Sequence, residues 1–253
     1  MLMLIVSVLL VLLLLAILFL QPRWLIKLIL RIRPGVKFFA ETNLPIVAIT
    51  IDDGPHPQTT LEILAVLSQY QACATFFLIG ERIEQNQAIV RQIIEQGHEL
   101  GNHLMTDQMS IRLPHDRFEF ELVEVHEQLT TILQTQVSNP QTPQANSMRW
   151  FRPGSGWYNQ TMLQIAATHG YQCALGSIFP YDPLIPFSWY ASMQIRWNLR
   201  PGAIIVLHDS GRDGHAGEWG QRTAATLKTV LPIMQQRGYQ MVTLSTLFSR
   251  DLR

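Results

Sequence analysis

The 253-residue sequence predicts an α/β domain, built on a parallel sheet or an incomplete barrel, behind an N-terminal membrane helix. Three observations lead there. Apolar runs such as "IVAITI" and "GAIIVL" are continuous rather than alternating, as strands covered on both faces require. Amphipathic stretches of helical period separate these runs. Polar residues gather just beyond the strands, where parallel α/β folds place their functional groups. Hydrophobic residues make up 47% of the chain and charged residues 15%, which provides a core and excludes wholesale disorder. A formal charge of +0 argues against a general nucleic-acid binder. Cys73 and Cys173 lie in apolar stretches, too few and too far apart for a zinc ribbon or disulfide framework, and are expected as buried thiols.

The opening "MLMLIVSVLLVLLLLAILFL" holds a single polar side chain, Ser7, and as a helix matches a bilayer's hydrocarbon thickness. The basic start, short apolar run and small-residue cleavage site of a signal peptide are not evident, so residues 1–22 are expected to be an uncleaved single-pass anchor. "RWLIKLILRIR" alternates Leu and Ile with basic residues and is expected on the membrane surface, within a basic juxtamembrane segment over 23–44. Arg23, Lys27, Arg31, Arg33 and Lys37 all follow the span, which by the positive-inside rule places the main domain in the cytoplasm. The function implied below favours the cell-wall side instead.

Strands are expected at Ile46–Ile51, Ala74–Ile79, His98–Gly101, Met148–Phe151, Gln172–Leu175, Ala203–Leu207 and Gln240–Thr243. Helices are expected at Thr59–Tyr70, Ile83–Gln96, Asp116–Leu133, Asn159–His169, Trp189–Asn198 and Thr223–Arg237. "SNPQTPQANS" (residues 138–147) has the composition of a surface loop. No internal repeat and no second folded domain is indicated. His98 is expected to be structural, His56 lies beside the candidate site in a Pro-flanked turn, and His215 in a Gly-rich loop receives no role.

The strand ends carry the chemistry. Asp52 and Asp53 follow the first strand, Asn102, His103 and Asp107 the third, Arg152 the fourth, Asp182 the fifth, and His208 and Asp209 the sixth. Two adjacent anions repel, and a bound cation is the simplest compensation. His103 and Asp107 are four apart, so on a helical turn they would share a face. With Asp53 they offer one nitrogen and two oxygen donors, which suits zinc or a similar divalent ion that keeps an open position, acidifies water and polarises a carbonyl. Asp52 is then the candidate general base, offset by Arg152. His208, oriented by Asp182, is the candidate acid for a departing amine.

"TIDDGPHP", "GHELGNHLMTD", "FRPGSGW" and "PGAIIVLHDS", in this order, resemble the motifs of the polysaccharide deacetylases, the NodB-homology or carbohydrate esterase family 4. The resemblance spans about Pro45 to Leu247 and assigns 45–249 to one domain. It implies a distorted, incomplete (β/α)7 barrel of the NodB type and metal-dependent removal of N-acetyl groups from amino sugars of peptidoglycan or chitin-like chains. By position it implies Asp52 as base, Asp53 and His103 as metal ligands, Arg152 as the partner of the base and His208 as acid. Three departures stand out. Asp107 occupies the place of a second ligating histidine, which weakens the preference for zinc and admits manganese, cobalt or magnesium. Gly154 replaces a proline in the third motif, which is expected to loosen a loop facing the oxyanion. The fourth motif lacks close Asp–Trp spacing. Trp157, Trp189 and Gly156 are the candidate substrate contacts. The alternatives are a deacylase of a lipid-linked sugar and a glycan-binding pseudoenzyme whose metal site Asp107 has spoiled.

Overall fold

The strands β1 (Val36–Lys37), β2 (Ile46–Gly54), β3 (Ala74–Leu78), β4 (Glu99–Asn102), β5 (Trp150–Phe151), β6 (Gln172–Ala174), β7 (Ile204–His208) and β8 (Gln240–Val242) form one sheet in the computed structural model. That model describes residues 1–32, 34–136, 148–211 and 216–249; the expected loop at 138–147, Arg33 and His215 lie outside them. The order is β1-β6-β5-β4-β3-β2-β7, with β8 also beside β2. Every pairing of these strands is parallel. An isolated bridge between Ile178 and Ile205 carries the continuation of β6 toward β7, so the sheet curls into the expected incomplete barrel.

Strand β2 shows why both faces are apolar. Val47, Ile49 and Ile51 join the outer core under the helices, whereas Ile46 and Ala48 join an inner core with Phe77, Trp150, Ala174 and Ile204. Side chains alternate between faces of a strand, so the even-numbered residues of β2 point into the barrel. Fully burying each large aliphatic side chain contributes about 1.5–3 kcal/mol.

Helices α1 (Leu2–Leu20) and α2 (Arg23–Ile32) precede the sheet. Helix α3 (Thr59–Gln69) follows β2, and the short α4 (Gly80–Ile83) and α5 (Gln87–Glu95) follow β3. The remaining helices are α6 (His115–Gln136), α7 (Gln160–Thr168), α8 (Ser188–Asn198), α9 (Ala216–Gln236) and α10 (Leu244–Leu247). The single helix expected over 83–96 is therefore divided. Asn86 donates its side-chain amide to the Arg82 carbonyl at 2.8 Å, and Glu84–Asn86 tightens into a 3-10 turn. The expected juxtamembrane segment supplies a strand, because Val36 and Lys37 pair with Cys173 and Ala174. Cys173 is buried as expected, but Cys73 is only partly so. Helix α1 is long and apolar enough to cross a membrane.

Candidate active site

A cavity of about 570 Å³ opens at the carboxyl end of the sheet and is lined by Asp52, Asp53, His103, Asp107, Arg152 and His208 among others. Asp52 reaches it by the alternation of β2. Asp53 would point the other way in a regular strand, but the pairing of β2 with β3 slips between Ile51 and Gly54, and Asp53 adopts φ 64. Aspartate is among the few side chains that tolerate this left-handed region. Both carboxylates thus enter one cavity.

Arg152 neutralises the first of them. Its Nη1 donates to Asp52 Oδ1 at 2.6 Å and to Thr50 Oγ1 at 2.7 Å, and its Nε donates to the Ala174 carbonyl at 2.8 Å. The guanidinium lies 4.2 Å from the centre of the Phe77 ring. Two buried charges with this many partners form a compensated pair.

His103 faces the second carboxylate. Its Nδ1 lies 2.7 Å from the Arg152 carbonyl, which only accepts, so Nδ1 carries the hydrogen. Nε2 is then turned to Asp53 Oδ1 at 3.1 Å. A lone pair against a carboxylate requires a positive species between or upon them, either a proton or a metal cation. Burial disfavours the charged ring, but the Asp53 hydrogen bond and the charges of Asp52 and Asp53 outweigh it and raise the His103 pKa. Burial likewise pushes Asp53 up, while the His103 hydrogen bond and the charges of His103, His208 and Arg82 leave it lowered overall. This nitrogen–oxygen pair fits one divalent cation.

The expected third ligand is placed differently. His103 and Asp107 do not share a helical turn; the chain there runs through bends, with Leu104 at φ 64. Asp107 lines the same cavity, but its Oδ2 is 3.6 Å from Arg82 Nη2. Among the described residues no group of three or more His, Cys, Asp or Glu side chains is assembled to hold a metal. Arg82, which does not itself line the cavity, thus puts a positive charge beside Asp107.

His208 lines the cavity from β7, in register with Asp52 of β2. Its backbone N–H donates to Asp182 Oδ2 at 2.9 Å, and its Nδ1 lies 3.1 Å from both Asp182 oxygens. Burial opposes a charged imidazole, but Asp182, by charge and hydrogen bond, carries the His208 pKa up to about 9. The rings of Phe179 and Trp219 stand edge-on to His208, at 5.8 and 6.3 Å between centres. Asp209 turns away from the cavity. It accepts from Thr59 Oγ1 at 2.6 Å and from Thr60 Oγ1, tying the start of α3 to the end of β7.

A model of polysaccharide deacetylases matches residues 40–174, which include Asp52, Asp53, His103 and Arg152. The chain belongs to the polysaccharide deacetylase family. A peptidoglycan-N-acetylglucosamine deacetylase of Bacillus cereus is 33% identical over 81% of this chain and 89% of its own length. A chitooligosaccharide deacetylase of Bradyrhizobium is 31% identical over 77% and 87%. Among solved structures, the Bc1960 peptidoglycan N-acetylglucosamine deacetylase superposes with a TM-score of 0.73 at 26% identity, covering 85% of this chain and 92% of that one. A mutant of BA3943, a CE4 family pseudoenzyme with restored activity, shares the fold at TM-score 0.72 and 22% identity, covering 85% and 72%.

Within this polysaccharide deacetylase, the expected sugar contacts separate. Gly156 lines the cavity, but Trp157 and Trp189 do not and are 62% and 63% exposed. Ser155 at φ 62 and Gly156 at φ 71 turn the chain so that they face the cleft and Trp157 follows outside it. Gly154 is pinned rather than loose: its N–H donates to Ser110 Oγ at 2.7 Å, and a Cβ there would strike the Gln108 carbonyl. His56 serves its own turn, with Nδ1 accepting from Gln58 and Thr59 backbone N–H groups at 3.3 and 3.2 Å. His98 is buried and structural, as expected. Arg82 is a site residue that strand-end reading passed over. Besides Asp107, it donates to the Asp53 carbonyl and Ser210 Oγ, and to the Gly211 carbonyl at 3.2 Å. It stands just beyond β3, in α4, so the strand-end rule that marks the other polar groups also marks Arg82.

Proposed function

We propose that this domain hydrolyses the N-acetyl amide of N-acetylglucosamine units in peptidoglycan or a chitin-like oligosaccharide, with a divalent cation and with α1 as a membrane anchor. The observation that carries the proposal is the placement of a neutralised carboxylate and a paired imidazole in one cavity. Asp52 is held by Arg152 at 2.6 Å, and His208 is held by Asp182 at 3.1 Å. The substrate class follows the relatives' own activities, which are named for peptidoglycan and chitooligosaccharides.

Asp53 and His103 would hold the cation, with Asp107 in the same cavity as a further carboxylate. When bound, such an ion polarises the amide carbonyl and makes water more acidic. Asp52 takes a proton from the attacking water through the oxygen not committed to Arg152. His208, protonated on both ring nitrogens, keeps Nδ1 on Asp182 and gives its Nε2 proton to the departing amine. Water and amide become acetate and free amine. Phe179, Leu184 and Val206 line the cavity with apolar surface and limit competing water.

The test is acetate release from N-acetylated chitooligosaccharides and from peptidoglycan by the full chain in detergent. Turnover is expected, with loss on chelation and recovery with zinc, manganese, cobalt or magnesium. No release with any of these ions sinks the proposal. One observation favours a second reading: the Arg82–Asp107 pair suits a glycan-binding pseudoenzyme. Glycan binding without turnover, with activity gained on Asp107→His, would establish that reading. A cell-wall substrate puts the domain outside the cell, against the flanking charges, and protease protection in intact cells reports the side.

A further inference from the structure

The carboxyl end of α1 is fastened to the wall of the cleft. Gln21, the residue after the helix, clasps Phe179 with its side-chain amide: Nε2 donates to the Phe179 carbonyl at 2.6 Å, and Oε1 accepts from the Phe179 N–H at 2.8 Å. Tyr181 donates its hydroxyl to the Leu18 carbonyl at 3.0 Å, and Asn198 donates to the Phe19 carbonyl at 2.9 Å. Phe19 packs edge-on against Trp197. Phe179 in turn lines the cavity and stands against His208. The membrane helix and the candidate acid are thus two residues apart along a line of contacts.

Arg23 and Lys27 of helix α2 reach the domain. Arg23 donates to the Pro201 carbonyl at 2.7 Å and sits 4.6 Å from the Phe39 ring centre, and Lys27 pairs with Glu41 at 2.8 Å. Its other face, with Trp24, Leu28 and Ile32, is exposed. Exposed apolar side chains also follow Leu184 in the chain. Leu184 lines the cavity yet is 74% exposed, and Phe187 and Trp189 stack on each other at 6.0 Å, both exposed.

A 19-residue helix is about 28 Å long, close to the hydrocarbon thickness of a bilayer. Its end at Leu20 therefore lies at the level of the headgroups, where tryptophan and tyrosine are favoured. Resting on the reading of α1 as a span and of the domain as a deacetylase, we infer that the lip of the cleft docks on the surface of the membrane that α1 crosses. The docking surface comprises Leu184 at the lip, the exposed Phe187, Trp189 and Trp197, and the apolar face of α2. The occupant of this surface is the bilayer itself. The substrate class that follows is an N-acylated amino sugar carried on a lipid, whose sugar stands at headgroup level beside the cavity mouth.

The full chain, reconstituted in phosphatidylcholine–phosphatidylglycerol vesicles, tests both parts. With brominated lipids, tryptophan emission is expected to be quenched, and Trp189→Phe/Trp197→Phe should remove part of that quenching. Quenching unchanged by the double substitution overturns the docking. Hydrolysis is compared for N-acetylated chitobiose joined to a hexadecyl chain in the same vesicles and for free N-acetylated chitobiose. At least tenfold higher kcat/KM for the lipid-joined sugar is expected, narrowing in Phe187→Ser/Trp189→Ser while hydrolysis of the free sugar is unchanged. Equal kcat/KM for the two sugars in the unaltered chain overturns the substrate class. Failure to hydrolyse either sugar with any divalent ion instead overturns the deacetylase reading and with it the substrate class, and the quenching still decides the docking.

Discussion

Arg82 Nη2 stands 3.6 Å from Asp107 Oδ2, so a guanidinium is paired with the carboxylate expected as the third metal ligand. Its charge also lies against the backbone of Asp53. Both effects oppose a divalent ion. Arg82→Gln is expected to raise cation affinity by about tenfold, a change of about 1.4 kcal/mol. Titration calorimetry with zinc or manganese reads it, and weaker binding in the variant would refute the competition. Asp107→Ala is expected to weaken binding in the same titration.

Asp52 and Arg152 form a buried pair, and removing one charge strands the other. Arg152→Met is expected to cost about 3–5 kcal/mol of stability, and adding Asp52→Asn should recover much of it. Denaturant unfolding of the single and double variants gives the coupling. Asp52→Asn alone should lower kcat by about 10²-fold or more, and by stranding Arg152 it should lower stability as well.

His208 owes its high pKa to Asp182, which overcomes burial to bring it to about 9. Asp182→Asn removes that charge and leaves the burial, so the His208 pKa falls. If His208 acts as an acid, the alkaline limb of the kcat profile moves to lower pH in the variant. An unmoved limb would assign it to another group. The sign for stability is the same way round. With the folded pKa above the unfolded value of about 6.5, the pair's contribution is complete below that pH and is lost as the pH rises through about 9.

His98 titrates in the opposite sense. It is buried beside Phe76, accepts from the Ala74 N–H at 3.2 Å, and burial holds its pKa down at about 4. Between about pH 6.5 and pH 4 the unfolded chain takes up a proton that the folded chain refuses. Stability should fall across that window as the pH is lowered, by on the order of 3 kcal/mol. His98→Asn keeps an acceptor near the Ala74 N–H and should lack this part of the slope in denaturant titrations.

Much of the site was legible because parallel strands all end at one edge. A residue just past any strand is carried to that edge whatever else the chain does, so Asp52, His103, Arg152 and His208 could be read without coordinates. Arg82 follows the same rule after β3 and was within reach of it. The core strands were equally legible, since burial on both faces selects unbroken runs of Val, Ile and Leu. The short strand at Val36–Lys37 was not, because two residues carry no periodicity and only their pairing with Cys173 and Ala174 makes them a strand.

The sequence alone placed Asp52, Asp53, His103, Arg152 and His208 at strand ends and marked residues 1–20 as an apolar helix. Only the tertiary structure decided how they face one another. Asp53 shares a cavity with Asp52 because the strand slips and its backbone turns left-handed, which no alternation pattern encodes. Asp107 faces Arg82, and Trp157 stays outside the cleft, because left-handed turns at Leu104 and at Ser155 and Gly156 set those directions. The contact of Gln21 with Phe179 joins residues 158 apart in the chain. Local propensity acts over a few residues, and contacts at such separations form only when the whole sheet closes.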